Sequence, residues 1–174
     1  MSTTISMYQA SVPVFIRELQ NLAHVLRKGE AHAQALDITP EVLLQTRLIP
    51  DMLPLVRQVQ IATDMAKNGA SRLAGIEPPK FADDETTLVP LFDRIDRAIA
   101  HLKGITQAQV DGSEDRPITL TMRNDSVLHF DGRSYLLGFV LPNLYFHVSM
   151  AYAILRQAGV ALGKNDFLGV DAQR

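Results

Sequence analysis

The chain has 174 residues, a hydrophobic content of 47% and a formal net charge of −2, which are typical of one globular domain spanning residues 1–174. The slightly acidic balance excludes the basic footprint of a protein that binds nucleic acid or an anionic membrane. The absence of cysteine excludes disulfides, thiolate metal sites and cysteine nucleophiles. Because the N-terminal segment also lacks a basic stretch followed by an apolar run, we predict a cytoplasmic protein.

Apolar residues at three- and four-residue spacing predict three amphipathic helices in the first two thirds of the chain. These helices cover Ser6–Lys28, Asp51–Leu73 and Thr86–Lys103, and each is followed within two residues by a glycine that acts as a stop signal. Asp51 is a favoured N-cap residue for the second helix. Segment 39–48 (TPEVLLQTRL) predicts a short helix in the first connection, since threonine caps well and proline suits the first helical position.

Residues 104–133 interrupt the helical pattern. Apolar and polar residues alternate in segment 118–122 (ITLTM), and a second short apolar segment, 127–130 (VLHF), follows a polar turn. This pattern predicts a small β-hairpin before the last helix. An isolated hairpin is only marginally stable, so we expect it to pack on the helices.

The last long helix is predicted over Ser134–Gln157 and is apolar on most sides, which predicts a central helix that is buried over most of its surface. Pro142 lies four residues after Gly138, and a proline ring clashes with the carbonyl four residues before it. We therefore expect a kink near 138–141 or a helix that begins at Pro142. Three polar side chains within the helix argue against a membrane span. Together the elements predict an all-α four-helix bundle.

His147 is embedded in this apolar helix, where a buried imidazole needs a hydrogen-bond partner. One interpretation is a structural histidine that is bonded to Asn143, one turn earlier, or to a polar group on another helix. The other is a ligand or general base that lines a pocket, because histidine titrates near neutral pH. On the second interpretation His147 is the candidate catalytic residue.

The second helix carries four polar residues at three- and four-residue spacing, from Arg57 to Lys67. This ridge is either a solvated face stabilised by charge pairs, or it turns Gln60 and Asp64 inward towards His147. Two tyrosines are either core residues with a polar tip at the surface or hydrogen-bond donors into a pocket. The candidate ligand-binding residues are Tyr8, Gln60, Asp64, Asn143, His147 and Tyr152.

Several segments match a known family pattern. They are LPNLYFH at 141–147, AYAILR at 151–156 and GKNDFLG at 163–169, with PDM at 50–52, QVQ at 58–60 and LAG at 73–75 upstream. Over essentially its whole length the chain resembles a family known only as a domain of unknown function, which is similar to the DinB/YfiT-like superfamily. The resemblance implies a four-helix bundle that is often a homodimer. It also implies that many relatives bind a divalent metal through three histidines, one on the second helix and two, four apart, on the last.

The chain departs from that metal pattern. Its four-apart pair on the last helix is Asn143 and His147, and its second helix contains no histidine. If a metal position exists, Gln60 or Asp64 has to complete it. A set of His147, Asn143 and Asp64 is a poor nickel or zinc site, since those ions prefer imidazole and thiolate ligands. A divalent metal cofactor is therefore disfavoured.

Two hypotheses follow. The first is a small-ligand-binding or structural module, homodimeric and without the metal triad. The second is a metal- or thiol-dependent transferase or hydrolase of small molecules, with His147 as ligand or base. The enzyme requires Asn143, His147 and a second-helix residue to converge on an accessible cavity, whereas the first hypothesis predicts a sealed, hydrogen-bonded His147 with no cavity beside it. Neither involves nucleic acid or a membrane.

Overall fold

Four long helices form the frame of the fold in a computed structural model that describes residues 4–122 and 124–170. They are α1 (Val12–Ala35), α3 (Leu55–Ala74), α4 (Leu88–Lys103) and α7 (Leu141–Gln157). Helix α3 packs against each of the other three, and α1 also packs against α4 and α7. The apolar stripes of these helices meet in one hydrophobic core. The four long helices predicted from the sequence are thus confirmed.

Short elements fill the connections. They are α2 (Glu41–Leu44), α5 (Gln107–Val110), β1 (Ile118–Thr121), β2 (Val127–Phe130), α6 (Gly132–Tyr135) and α8 (Lys164–Leu168). The two strands pair antiparallel, with Ile118 opposite Phe130. Ile118 and Leu120 are buried while Thr119 and Thr121 are exposed, as the alternating sequence predicts. The short first-connection helix and the hairpin are confirmed.

Two predicted boundaries of α1 are wrong. The helix begins at Val12, because residues 7–11 form turns, and it continues through Gly29 to Ala35. The helix therefore continues through Gly29. This glycine serves close packing between helices and is not a stop signal. A Cβ atom at Gly29 would lie 2.8 Å from Cδ2 of Leu155 on α7. The missing side chain therefore allows α1 and α7 to approach each other.

Helix α3 also begins later than predicted. Its first residue is Leu55, preceded by Pro54 in an extended conformation, so Asp51 does not cap it. Its end agrees with the sequence pattern, because Gly75 has a positive φ of 72° and terminates the helix in the left-handed conformation that favours glycine.

The expected distortion before Pro142 is present as a π-helical turn. Helix α6 continues into a wider turn, Leu136–Val140, and then into α7 without a break. Pro142 cannot donate a backbone hydrogen bond, and a wider turn accommodates its ring next to the preceding carbonyls. The Asn143 side chain donates from Nδ2 to the Phe139 carbonyl at 2.7 Å and so satisfies an acceptor in this turn.

Helix α7 is less buried than its sequence predicts. Within the most apolar window of Gly132–Gln157 only a third of the residues are buried. By length and composition this stretch could cross a membrane, but core helices of globular proteins pass the same test, so the indication is weak. The buried face contacts α1 and α3. On the other side Leu137, Tyr145 and Phe146 are 56%, 37% and 51% exposed.

Gly69 provides a test of the contact between α3 and the π turn. A Cβ atom there would lie 2.6 Å from Cγ1 of Val140. Overpacking costs about 1–3 kcal/mol, and the helix propensity of alanine returns about 1 kcal/mol. We therefore expect Gly69→Ala to lower the free energy of unfolding in urea by up to about 2 kcal/mol.

The same substitution at Gly138, where a new Cβ has no atom within 4 Å, is the matched control and should not destabilise the fold. Val140→Ala should make Gly69→Ala less costly, because it removes the clashing methyl groups. If Gly69→Ala lowers the free energy of unfolding as much in the Val140→Ala variant as in the native chain, this packing argument is contradicted.

Candidate functional site

His147 is held by a side chain of α3. It is 8% exposed, and its Nδ1 lies 2.7 Å from Oε1 of Gln58. The other end of the Gln58 amide is fixed, because Nε2 donates to the Leu53 carbonyl at 3.0 Å. The oxygen of Gln58 therefore faces the imidazole, and this hydrogen-bond network assigns the proton to Nδ1. Nε2 of His147 is left with a free lone pair.

Burial keeps the imidazole of His147 neutral. It lowers the pKa of His147 from the usual 6.5 to about 4. The edge of the ring meets the Phe146 ring at a centroid distance of 5.2 Å. A histidine with so low a pKa is a weak general base at neutral pH, but its neutral Nε2 can accept a hydrogen bond or bind a metal.

Asn143 shares a face of α7 with His147, one turn earlier, but the two side chains do not bond to each other. Its Nδ2 is used by the Phe139 carbonyl, as described above. Of the partners expected for a structural His147, the structure therefore shows the polar group on another helix, Gln58, and not Asn143.

Gln60 and Asp64 do not reach His147. The charge pairs predicted for their ridge are present, since Arg57 pairs with Asp83 and Lys67 with Asp64, but the predicted solvated face is wrong. Gln60 and Lys67 are buried, so the ridge is not a solvated face. Nor does it turn towards α7. Residues two apart on a helix differ by about 200° in direction. Gln58 accordingly faces α7, whereas Gln60 faces the opposite side and donates to Glu85 at 2.6 Å.

The ridge belongs to a polar network around Arg94 of α4, which is fully buried. Its guanidinium bonds to Thr63 at 2.7 Å, the Ala82 carbonyl at 2.7 Å, Glu85 at 3.0 Å and Asp64 at 2.9 Å, and pairs with Asp83 at 3.1 Å. Sequence reasoning missed Arg94. The available signal was its position in line with Leu91 and Ala98, two core residues at three- and four-residue spacing.

A divalent metal does not fit the donors that the structure brings together. No group of three or more histidine, aspartate or glutamate side chains within residues 4–122 and 124–170 is arranged to hold an ion. Asp64, the carboxylate proposed to complete a site with His147, is bonded to Arg94 and pairs with Lys67 at 3.1 Å. One imidazole with amide neighbours is a weak set of ligands for zinc or nickel.

The two candidate tyrosines lie apart from His147. Tyr8 is half-buried in the turns before α1, where its backbone N–H donates to Asp111. Tyr152 is half-buried, meets the Phe167 ring of α8 edge-on at 5.8 Å, and lines a cavity of about 240 Å³. That cavity is also lined by Ser149, Lys164 and Phe167. The six predicted ligand-binding residues are therefore distributed over several places and do not form one pocket.

The comparisons with known proteins agree with the helical architecture. The family model described as "Domain of unknown function (DUF1993)" matches residues 7–168. A crystal structure of a DinB family member protein from Shewanella denitrificans is similar to this chain with a TM-score of 0.85 and 38% sequence identity, and the match covers 92% of this chain and 90% of that one. Among curated proteins none matches the chain.

The low pKa of His147 predicts a pH dependence of stability. In the unfolded chain the pKa returns to about 6.5, so between about pH 6.5 and pH 4 the unfolded state binds more protons than the folded state. Stability is therefore lost as the pH falls through this window. From pH 7 to pH 5 the loss attributable to His147 should be about 2 kcal/mol.

Urea unfolding of the native chain and of His147→Gln at both pH values measures this loss, since the variant lacks the titrating group. The native chain should lose about 2 kcal/mol more than the variant. Equal losses would show that His147 titrates normally and that burial does not control its charge.

Proposed function

The chain belongs to the DUF1993 family and has a DinB-like helical fold, and from these premises we propose that it is a dimeric module that binds a small ligand without a metal ion. The hydrogen bond between His147 and Gln58 carries this proposal. It presents Nε2 as a neutral acceptor on a rigid helix, and within residues 4–122 and 124–170 His147 belongs to no group of three or more histidine, aspartate or glutamate side chains that could hold a metal ion.

The chemistry of this site favours a ligand that donates hydrogen bonds. Nε2 of His147 is an acceptor, and Asn143 on the same face retains its amide oxygen after Nδ2 is used by the backbone. The Phe146 ring lies next to the imidazole and gives it an apolar neighbour. A small neutral alcohol or amide matches two acceptors beside an aromatic ring, whereas an anion would meet no positive charge there.

One observation favours the alternative, a metal- or thiol-dependent transferase or hydrolase that uses His147. Histidines that bind metals usually donate their other ring N–H to an acceptor, and Gln58 occupies that role here. In this alternative the other ligands of the metal ion have to come from solvent or substrate, because the adjacent amide of Asn143 is a poor ligand for zinc or nickel.

Elemental analysis of protein purified without chelator distinguishes the two. We expect no stoichiometric metal in the native chain or in His147→Ala, because one imidazole alone does not retain zinc or nickel. Near-stoichiometric metal that disappears in His147→Ala would contradict the metal-free proposal and favour the enzyme. Gln58→Leu is a useful second variant, because a metal held through Nε2 would also be weakened when the ring loses its orienting partner.

The outer face of α7 supports the dimer. Residues 134–155 contain no aspartate, glutamate, lysine or arginine, and Leu137, Tyr145 and Phe146 on this stretch are exposed. An uncharged helix face rich in aromatic residues resembles the core of an interface between protein chains. A second copy of the same face fits it without leaving a buried charge unpaired, and twofold dimers are the commonest assemblies. We propose that α7 packs against α7 of a second copy, and that the protein is soluble and cytoplasmic.

Tyr145→Glu tests this interface, because in a dimer it would bury a charge without a partner. We expect the native chain to sediment as a dimer at micromolar concentration and Tyr145→Glu as a monomer. Val89→Glu is the matched control. Val89 is 74% exposed but lies on α4, so its substitution should leave the dimer intact. A monomeric native chain, or dissociation by both variants, would contradict the α7 interface.

A further inference from the structure

Two adjoining cavities lie beside the C-terminal end of α3. One, of about 300 Å³, lies between this end and the segment that leads into β1, and the other, of about 360 Å³, lies against residues 77–81. Arg72 and Glu77 line both. We call the two together the α3 groove. Asp64 and Lys67 connect it to the Arg94 network, and Arg72 lies about 21 Å along the helix axis from Gln58.

Three cations of the α3 groove have no carboxylate partner. Arg72, Lys80 and Arg116 each line it, and none makes an ion pair within 4 Å among the described residues. Neutral acceptors position the two guanidinium groups. Arg72 donates to the Tyr135 hydroxyl at 3.0 Å, and Arg116 donates to the Leu73 carbonyl. Their positive charges are therefore oriented but not neutralised.

The fourth cation of the α3 groove, Lys67, already has a carboxylate partner, because it pairs with Asp64 at 3.1 Å. Lys67 lines the larger cavity, is 3% exposed, and lies 4.8 Å from the centre of the Phe81 ring. Burial lowers the pKa of Lys67, and the charges of Arg94 and Arg72 lower it further against the opposing effect of Asp64. Asp64 lines the same cavity and is shared between Lys67 and Arg94, which bonds to it at 2.9 Å. The uncompensated charges of the groove are therefore those of Arg72, Lys80 and Arg116.

We propose that the α3 groove binds a small organic oxyanion, a carboxylate or a phosphate ester. Planar guanidinium groups form paired hydrogen bonds with both kinds of oxyanion. Ile76 and Ile118 provide apolar lining for a carbon skeleton. Two acids oppose the ligand: Asp64, which lines the larger cavity and is paired with Lys67 and Arg94, and the exposed Glu77, which lines both cavities. This site is independent of the ligand proposed at His147.

Calorimetric titration with inorganic phosphate and with succinate, each at an ionic strength held constant with sodium chloride, tests the proposal. We expect saturable binding of at least one probe, and the responding probe identifies phosphate or carboxylate as the preferred group. Arg72→Gln and Arg116→Gln should each weaken it about tenfold or more, since each removes a charge-assisted hydrogen bond. Glu77→Gln should tighten it, because a repulsive charge is removed.

Lys103→Gln is the matched control for net charge, because Lys103 is exposed at the end of α4 and lines neither cavity. The affinity of Lys103→Gln for the responding probe should equal that of the native chain. If Arg116→Gln fails to fold, Arg72→Gln and the exposed Glu77→Gln decide between the outcomes. Absence of saturable heat with both probes, or equal weakening by Lys103→Gln and Arg72→Gln, would overturn the proposal.

Discussion

The fully buried guanidinium of Arg94 constrains the positions of α3, α4 and the segment between them. A buried charge without partners would cost several kcal/mol, so every contact of this group has to be in place when the helices pack. The partners come from α3 through Thr63 and Asp64 and from the connecting segment through Ala82, Asp83 and Glu85. A shift of α4 by one turn would leave them unpaired. The network thereby specifies how the two helices align.

Helix α3 has two polar sides with different chemistry, and Arg94 contacts one of them. Towards α4 the helix carries charged side chains. Two further charged residues of the helix, Lys67 and Arg72, line the α3 groove. Towards α7 the helix presents the neutral amide of Gln58 to a neutral His147. Because the interior between them is filled by apolar residues such as Val59 and Ala66, the two sides do not share ligands. Oxyanions suit the first side and neutral hydrogen-bond donors the second.

Periodicity and stop signals predicted the four long helices, the hairpin and the distortion before Pro142, because all three arise from local backbone chemistry. The errors occur where tertiary contacts override it. Gly29 resembles a helix stop, but the helix continues because the glycine makes room for Leu155. Arg94 resembles a surface residue, but partners distant in sequence allow its burial. In the same way, the segment QVQ at 58–60 contains two glutamines that could face the last helix. Gln58 bonds to His147 because of the relative rotation of α3 and α7, which the sequence pattern does not predict.

The exposed side of α7 shows why an apolar helix does not have to be central. In a four-helix bundle each helix contacts its neighbours through its inner surface and leaves an outer stripe uncovered. For α1 and α4 that stripe carries charged residues, such as Arg17 and Arg27 on α1 and Asp93 and Arg97 on α4, whereas every residue of α3 is buried or half-buried. For α7 the outer stripe contains Tyr145 and Phe146 without a charged residue nearby in sequence. Among the described residues nothing covers this apolar surface, and the proposed contact with a second copy would explain it.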